Sequence, residues 1–359
     1  MRTEWIRDPA RLGEIAVPWA ALAAREPWPF AGPAWFGTWW SAFGREGALE
    51  TCALWDGDEL AGLLPAWRDG RRLRAMVNEL TPEFRPLARD EVALDALMGA
   101  ATRAADAELV LGDMEVGPAL ERAAAQCRRA GRALWLEHGR RSPFVDTRGE
   151  FEDWRRATKP RWRANLDRLR RKMHREHDVE LVVVERPRDL EADLARGLAV
   201  EASGWKSEAG TAIAADPATR AFFEEVAACF HAAGSLRFSW LELDGQMAAF
   251  DYALLHGNRL WLHKTGFDPA WRNVAPALVL HLSVIERCFE LGLDALELLG
   301  EEDEWKRKFQ TGVREHRTLH AAPRASPLAL RWAARRGLKP VVRRARRLAR
   351  RAPAAARAS

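Results

Sequence analysis

Tyrosine is nearly missing from this chain: its 359 residues include one, Tyr252, against 17 tryptophans and 14 phenylalanines. A phenol is therefore available to chemistry at a single position. Cysteine is also sparse. The four cysteines, at positions 52, 127, 229 and 288, lie far apart and form no C-x-x-C pair, which indicates neither a disulfide framework nor a zinc site. They read as four buried thiols in a reducing cytoplasm. No apolar run approaches the roughly 20 residues of a membrane span. The opening MRTEWIRDPARLGE lacks the apolar core of an export signal. The expectation is a cytoplasmic protein.

Acidic residues are missing from one region. Residues 323–359 carry eleven Arg and one Lys with no Asp or Glu, against a net charge of +5 for the whole chain, so the preceding residues sum to −7. The basicity belongs to an appendage, which argues against reading the overall charge as nucleic-acid binding by the body. Two readings of this tail stay open. It is a disordered solubilising end, or a basic amphipathic helix that attaches the protein to an anionic membrane surface at the inner face. A composition of 48% hydrophobic and 30% charged residues is that of a globular protein, and the length suits two domains.

What the chain does have is an order of elements used twice. In the second half, strand 236–243 alternates toward Asp244-Gly245, a hairpin dipeptide. Strand 247–255 returns, strand 259–265 follows, and residues 267–277 lead into an apolar helix over 277–290 and a strand over 295–299. In the first half, strand 50–55 reaches Asp56-Gly57, and strands 60–67 and 72–77 follow. Loop 78–90 then leads to a helix over 91–107 and a short strand at 109–111. Residues 142–146 read as an edge strand closing the first domain. A basic helix over 151–177, a strand at 179–185 and helices over 190–202 and 217–233 separate the two series. The pattern predicts α/β architecture with two similar domains in tandem, 1–150 and 151–322, followed by the tail 323–359.

The loop Arg272-Asn273-Val274-Ala275-Pro276-Ala277 ends at a helix N-terminus, where unpaired N–H groups and the positive dipole end suit a phosphate. Pro276 removes one donor but is favoured at a first helical position, and it pushes Ala275 toward an extended conformation. With it stand RWRANLDRLRRKM (161–173), EASGWKSEAGTAI (201–213), KTGFD (264–268) and LGEEDEWKRKF (299–309). In this order the five segments resemble the CelD-like group of GNAT-type acyltransferases, related to the FemAB aminoacyl transferases. The resemblance covers residues 150–320 well and the first 150 loosely. It implies two tandem GNAT-like domains, each a twisted mixed sheet flanked by helices, with the donor pyrophosphate held by the second. The family's loop has glycine where this chain has Ala275.

The resemblance places acyl-CoA, in the first instance acetyl-CoA, at Lys264, Arg272, Asn273, Val274, Ala275 and Ala277. It places the acceptor near Trp205, Lys206, Phe267, Asp268 and Trp305. Catalytic candidates are Glu201, Glu301, Glu302, Asp303 and Lys306. Glu201 and Trp205 share a helical face, and an acid beside an aromatic can act as a general base. The same residues also read as an ordinary helix end. The acids 301–304 read equally as first-turn residues stabilised by a helix dipole. Lys264, at a strand end with His263 on the opposite face, is either a phosphate or oxyanion partner or a solvated cation. The family often has tyrosine before the lysine of its last motif. Here that position is Trp305, so protonation of the leaving thiolate by a tyrosine at that place is not supported. Asp251 is a secondary candidate.

The sequence thus points to an N- or O-acyltransferase working by direct transfer, with no metal, on an amine or hydroxyl of a small molecule or glycan. A link to polysaccharide or cell-envelope biosynthesis is implied by the resemblance alone. One alternative is an aminoacyl transferase using charged tRNA, which the basic helix would bind. Another is a non-catalytic partner in exopolysaccharide production. In the first half, loop 78–86 contains Glu79 and Glu83 and does not open onto small residues, so it serves acceptor binding or scaffolding.

Overall fold

The computed structural model describes residues 1–45, 47–203 and 216–335. The first half runs β1 (Arg2–Ile6), α1 (Pro9–Glu14), α2 (Ala16–Ala23), α3 (Pro33–Phe43), β2 (Thr51–Asp56), β3 (Glu59–Leu64), β4 (Ala66–Asp69), β5 (Arg72–Ala75), β6 (Leu87–Ala88), α4 (Glu91–Ala104), β7 (Glu108–Glu115), α5 (Pro118–Arg129) and β8 (Arg132–Asp146). The second runs α6 (Phe151–Ala157), α7 (Pro160–Glu176), β9 (Val179–Glu185), α8 (Leu190–Ser203), α9 (Pro217–Ala232), β10 (Leu236–Leu243), β11 (Gln246–His256), β12 (Arg259–Phe267), α10 (Pro276–Glu290), β13 (Ala295–Glu297) and β14 (Gly312–Pro323). Six of these helices, α1, α3, α5, α7, α9 and α10, have proline in the first turn, where its missing N–H costs little. Pro160 also divides the expected basic helix 151–177 into α6 and α7.

Ten strands form one twisted mixed sheet in the order β4-β5-β7-β14-β8-β13-β12-β11-β10-β9, and four more form a small sheet, β1-β2-β3-β6. Asp244 and Gly245 both have positive φ, 52° and 79°, the primed turn that a two-residue hairpin needs. In the first half the turn falls one residue later than expected, at Gly57-Asp58, because Asp56 pairs with Glu59. The expected strand 60–67 splits at Pro65 into β3 and β4, which belong to different sheets.

The edge strand expected at 142–146 is a central one. It is the end of the 15-residue β8, which pairs with β14 along one side and β13 along the other. Arg, Gly, Ser and Pro within 132–146 obscure the alternation, and both partners lie far along the chain. β14, C-terminal to everything else in the sheet, inserts between β7 and β8 of the first half. The two cores likewise ignore the boundary at residue 150. One joins the first half to Phe222, Phe223, Phe238, Tyr252 and Trp261 on one face of the sheet; the other lies between the opposite face, α7 and α10.

Two further expectations change. Cys52, Cys127 and Cys288 are buried, but Cys229 is only half-buried. Of the stretch assigned to the tail, 327–335 is helical, with Trp332 buried beside His320. The remainder lies outside the described residues.

Candidate acyl-donor site

β12 and β13 run parallel and pair only over Arg259–Trp261 and Ala295–Glu297. β13 then ends while β12 continues to Phe267, so the sheet opens into a wedge, with α10 linking the two strands. At the end of β12, Asp268 accepts a hydrogen bond from the Ala270 N–H at 2.9 Å and starts a single 3-10 turn, Pro269–Trp271. Val274 is fully buried and anchors the loop.

Ala275 then precedes α10 with φ 51° and ψ 58°. The expected extended conformation is therefore not adopted: the chain takes a left-handed residue here, at a cost of about 1–2 kcal/mol for an L-residue. Packing of Val274 and Pro276 into the α10 core holds it there. No side chain caps α10, and Pro276 leaves Ala277 with the first N–H of the helix.

Two cations stand at this open end. Arg272 is exposed and makes no ion pair among the described residues. Lys172 of α7 reaches across, its Nζ 3.2 Å from the Asn273 carbonyl. Sequence reasoning placed Lys172 in the basic helix but did not bring it to the loop. His177, at the end of α7, packs its ring edge-on to Trp271 at 5.1 Å and locks the helix to the loop. An uncapped helix start flanked by Arg272 and Lys172 can hold a phosphate.

The wedge floor contains a polar group in an otherwise apolar layer. His281 of α10 and Asp251 of β11 are 3% and 1% exposed. His281 Nε2 lies 3.2 Å from Asp251 Oδ1 and 3.0 Å from Thr265 Oγ1. Both contacts fall on one ring nitrogen, so the group is not a hydroxyl–imidazole–carboxylate relay, which needs both nitrogens. Trp305 lies flat on the ring, with centroids 4.3 Å apart and planes 19° from parallel. Asp251 was a secondary candidate; His281 was missed, although a histidine on the core face of an apolar helix was a visible signal.

The turn that carries Trp305 has two consecutive left-handed residues, Leu299 (φ 51°) and Gly300 (φ 60°). Lys306 is buried, and its Nζ donates to the carbonyls of Leu299 at 2.8 Å and Glu301 at 3.0 Å. Asp303 lies 3.4 Å from the same nitrogen. Glu302 accepts from Gln310 at 2.8 Å and from Arg141 at 3.1 Å. The Gln310 hydrogen bond, with the Arg141 and Arg307 charges, holds its carboxyl below the usual range. Glu301 is exposed. Lys306, Glu302 and Asp303 thus brace the turn.

On the other face of β12 the register slips between Tyr252 and Ala253, leaving His263 as a bulge. The extra residue breaks the alternation, so His263 does not lie opposite Lys264. Lys264 Nζ sits 5.0 Å over the Phe223 ring, and His263 lies 5.2 Å from the same ring. β12 therefore separates Lys264 from α10. Burial, and then the Lys264 charge, push His263 down to about 3, so it is neutral. Glu201, 2% exposed, ends α8 against Gly266 of β12, where an added Cβ would lie 2.7 Å from the Glu201 Cα. Phe267 packs toward α10. Trp205 and Lys206 lie outside the described residues.

Residues 160–307 match the family model of the acetyltransferase (GNAT) domain. No curated protein matches the sequence. Among solved structures the chain is similar to FemX, with TM-score 0.58 and 10% identity over 89% of this chain and 97% of that one. It is similar to the C-terminal domain of a protein assigned as a lysylphosphatidylglycerol synthetase in Agrobacterium fabrum, with TM-score 0.55 and 15% identity over 91% and 97% of the chains. It is also similar to L-PGS from Bacillus licheniformis, with TM-score 0.51 and 12% identity over 90% and 95%. At these identities the likeness is one of fold. The domain match makes residues 160–307 a GNAT-type acyltransferase domain, set in an α/β chain that shares its overall fold with FemX.

Proposed function

We propose that the protein transfers an acyl group, acetyl in the first instance, from acyl-CoA to an amine or hydroxyl acceptor by direct attack on the thioester. The observation that carries the donor assignment is the open start of α10, with left-handed Ala275 and the Arg272 and Lys172 cations beside it. A CoA pyrophosphate matches this site in charge, and an acyl chain would extend along β12 into the wedge. Oriented groups near the bound thioester would contribute mainly by positioning and by stabilising the oxyanion. The acceptor would approach from the face of β12 that carries Glu201, His263 and Lys264, between the halves.

Calorimetric titration with acetyl-CoA and with CoA tests the assignment. Micromolar binding weakened by about 1–3 kcal/mol in Arg272→Ala, the scale of a charged hydrogen bond, is expected. No heat with either ligand would reject an acyl-CoA donor.

A second reading, an aminoacyl donor carried on tRNA, is favoured by α7. Its Arg161, Arg168 and Arg171 are exposed and make no ion pair among the described residues. Binding of charged tRNA that weakens steeply with salt would support it. The resemblance to CelD-like proteins favours an acceptor used in polysaccharide or cell-envelope assembly, on the cytoplasmic side. No helix among the described residues is long and apolar enough to cross a membrane; contact with an anionic surface would fall to the basic tail.

A further inference from the structure

The first half contributes a loop to the second half's side of the molecule. Residues 78–86 lie between β5 and α4, the place that the donor loop occupies between β12 and α10. They cross onto β12, where the Leu80 carbonyl is 3.3 Å from Nε2 of the bulged His263. This brings Glu83, 2% exposed, to the junction of the halves. The Arg85 guanidinium lies 2.5 Å from Glu83 Oε1 without an aligned hydrogen bond, and it also contacts Glu115 of β7. Arg314 of β14 bridges Glu115 at 3.4 Å and Glu297 of β13 at 2.6 Å. Arg140 of β8 pairs with Asp113 of β7 at 2.9 Å. His316 of β14 is 1% exposed, and neither of its ring nitrogens has a hydrogen-bond partner among the described residues.

An ordinary structural cluster would satisfy its buried members. Here the buried His316 ring makes no aligned hydrogen bond and the buried Glu83 Oε1 has only the Arg85 guanidinium beside it, while Arg85, Glu115, Arg140 and Asp113 around them keep between 15% and 25% of their side-chain surface. We propose that this junction is the acceptor site, that it takes a primary amine, and that Glu83 is the general base. The inference rests on the acyl-donor reading above for the identity of the transferred group.

Charge and burial support the role. Burial lifts the Glu83 carboxyl to about 7, Arg85 opposes the shift, and Glu115 and Glu297 add to it. A base poised near neutrality suits removal of a proton from an ammonium. Burial takes His316 down to about 4, so it offers a neutral ring rather than a competing cation. The acceptor ammonium gives a proton to the Glu83 carboxylate. The freed amine attacks the thioester carbonyl, the C–N bond forms as the C–S bond breaks, and the thiolate takes the second nitrogen proton. Glu83 returns its proton to solvent.

The test has two arms. Saturation-transfer NMR without donor compares cadaverine with 1,5-pentanediol on the wild-type protein. Acetyl transfer from acetyl-CoA to cadaverine, lysine and glucosamine is followed against pH in wild type, Glu83→Gln and Glu83→Asp. Expected are a signal for the diamine alone and a wild-type acid limb near pH 7. Glu83→Gln should lose that limb and at least 100-fold in kcat, with its acetyl-CoA affinity and unfolding midpoint retained; Glu83→Asp should restore part of the rate. The proposal is overturned by no saturation transfer to cadaverine, or by acylation of diol but not amine. It is also overturned by an unchanged acid limb in Glu83→Gln. Failure to bind acetyl-CoA with cadaverine binding intact rejects the donor reading alone.

Discussion

Each half of the molecule sets a helix between two parallel strands, and the two helices start differently. α4 follows β5, which pairs with β7 over three residues, and its first turn is capped by Asp90, whose carboxylate accepts from the Ala93 N–H at 2.8 Å. α10 follows β12, and its start has no side-chain cap, a left-handed alanine and two cations close by. A carboxylate already occupies the anion position of the first half, so that half cannot offer it to a phosphate. The loops differ too: residues 78–86 reach the other half through the Leu80 carbonyl at His263, whereas 268–276 curl over their own helix. Of two similar helix starts, one is left open to an anion, as the proposed donor site requires, and the other is closed by its own carboxylate.

The comparison can be broken in four ways, the largest first. The buried face of α4 includes Ala93, Leu97, Met98 and Ala101, while that of α10 includes His281 against Asp251. His281→Ala should destabilise the fold by about 3–5 kcal/mol in urea unfolding, because it strands a buried carboxylate. An effect below 1 kcal/mol would show that Asp251 is not held by this ring. Ala275→Asp would put a carboxylate at the start of α10, where α4 has Asp90. Acetyl-CoA affinity, measured by titration, should fall by about 2 kcal/mol or more as the new carboxylate meets the pyrophosphate, and unchanged affinity would place the donor elsewhere. Asp90→Ala should cost about 1 kcal/mol of stability and leave acetyl-CoA binding as it was. Ala275→Gly relieves left-handed strain against a loss of unfolded-state restriction, a net gain of about 0.5 kcal/mol by thermal unfolding. A loss of stability would mean that the alanine methyl contributes packing.

Much of the second half was legible because its signals are local. Strands 179–185 and 236–243 have their expected bounds, since each is short and ends at a turn. The loop that opens onto α10 was readable from Pro276 and the apolar helix behind it. The left-handed Ala275 was not, because the residue before a proline ordinarily prefers extended backbone, and only the packed neighbours impose the other choice. Residues that act through distant partners were hidden in the same way. His281 draws its partners from β11 and β12, and Glu83 gains its setting from β7, β13 and β14.

The sequence by itself determined the α/β class, the hairpin at Asp244-Gly245, the helix starts at proline and the loop that opens onto α10, because periodicity, turn chemistry and capping act within a few residues. Tertiary structure alone decided that β14 would enter the first half's sheet, that β8 would be its spine, and that the bulge at His263 would put it and Lys264 on one face. It also gathered Glu83, Arg85, Glu297, Arg314 and His316 at one junction. Strand exchange joins groups 168 (312 − 144) to 212 (321 − 109) positions apart, and no local pattern records which of them will meet.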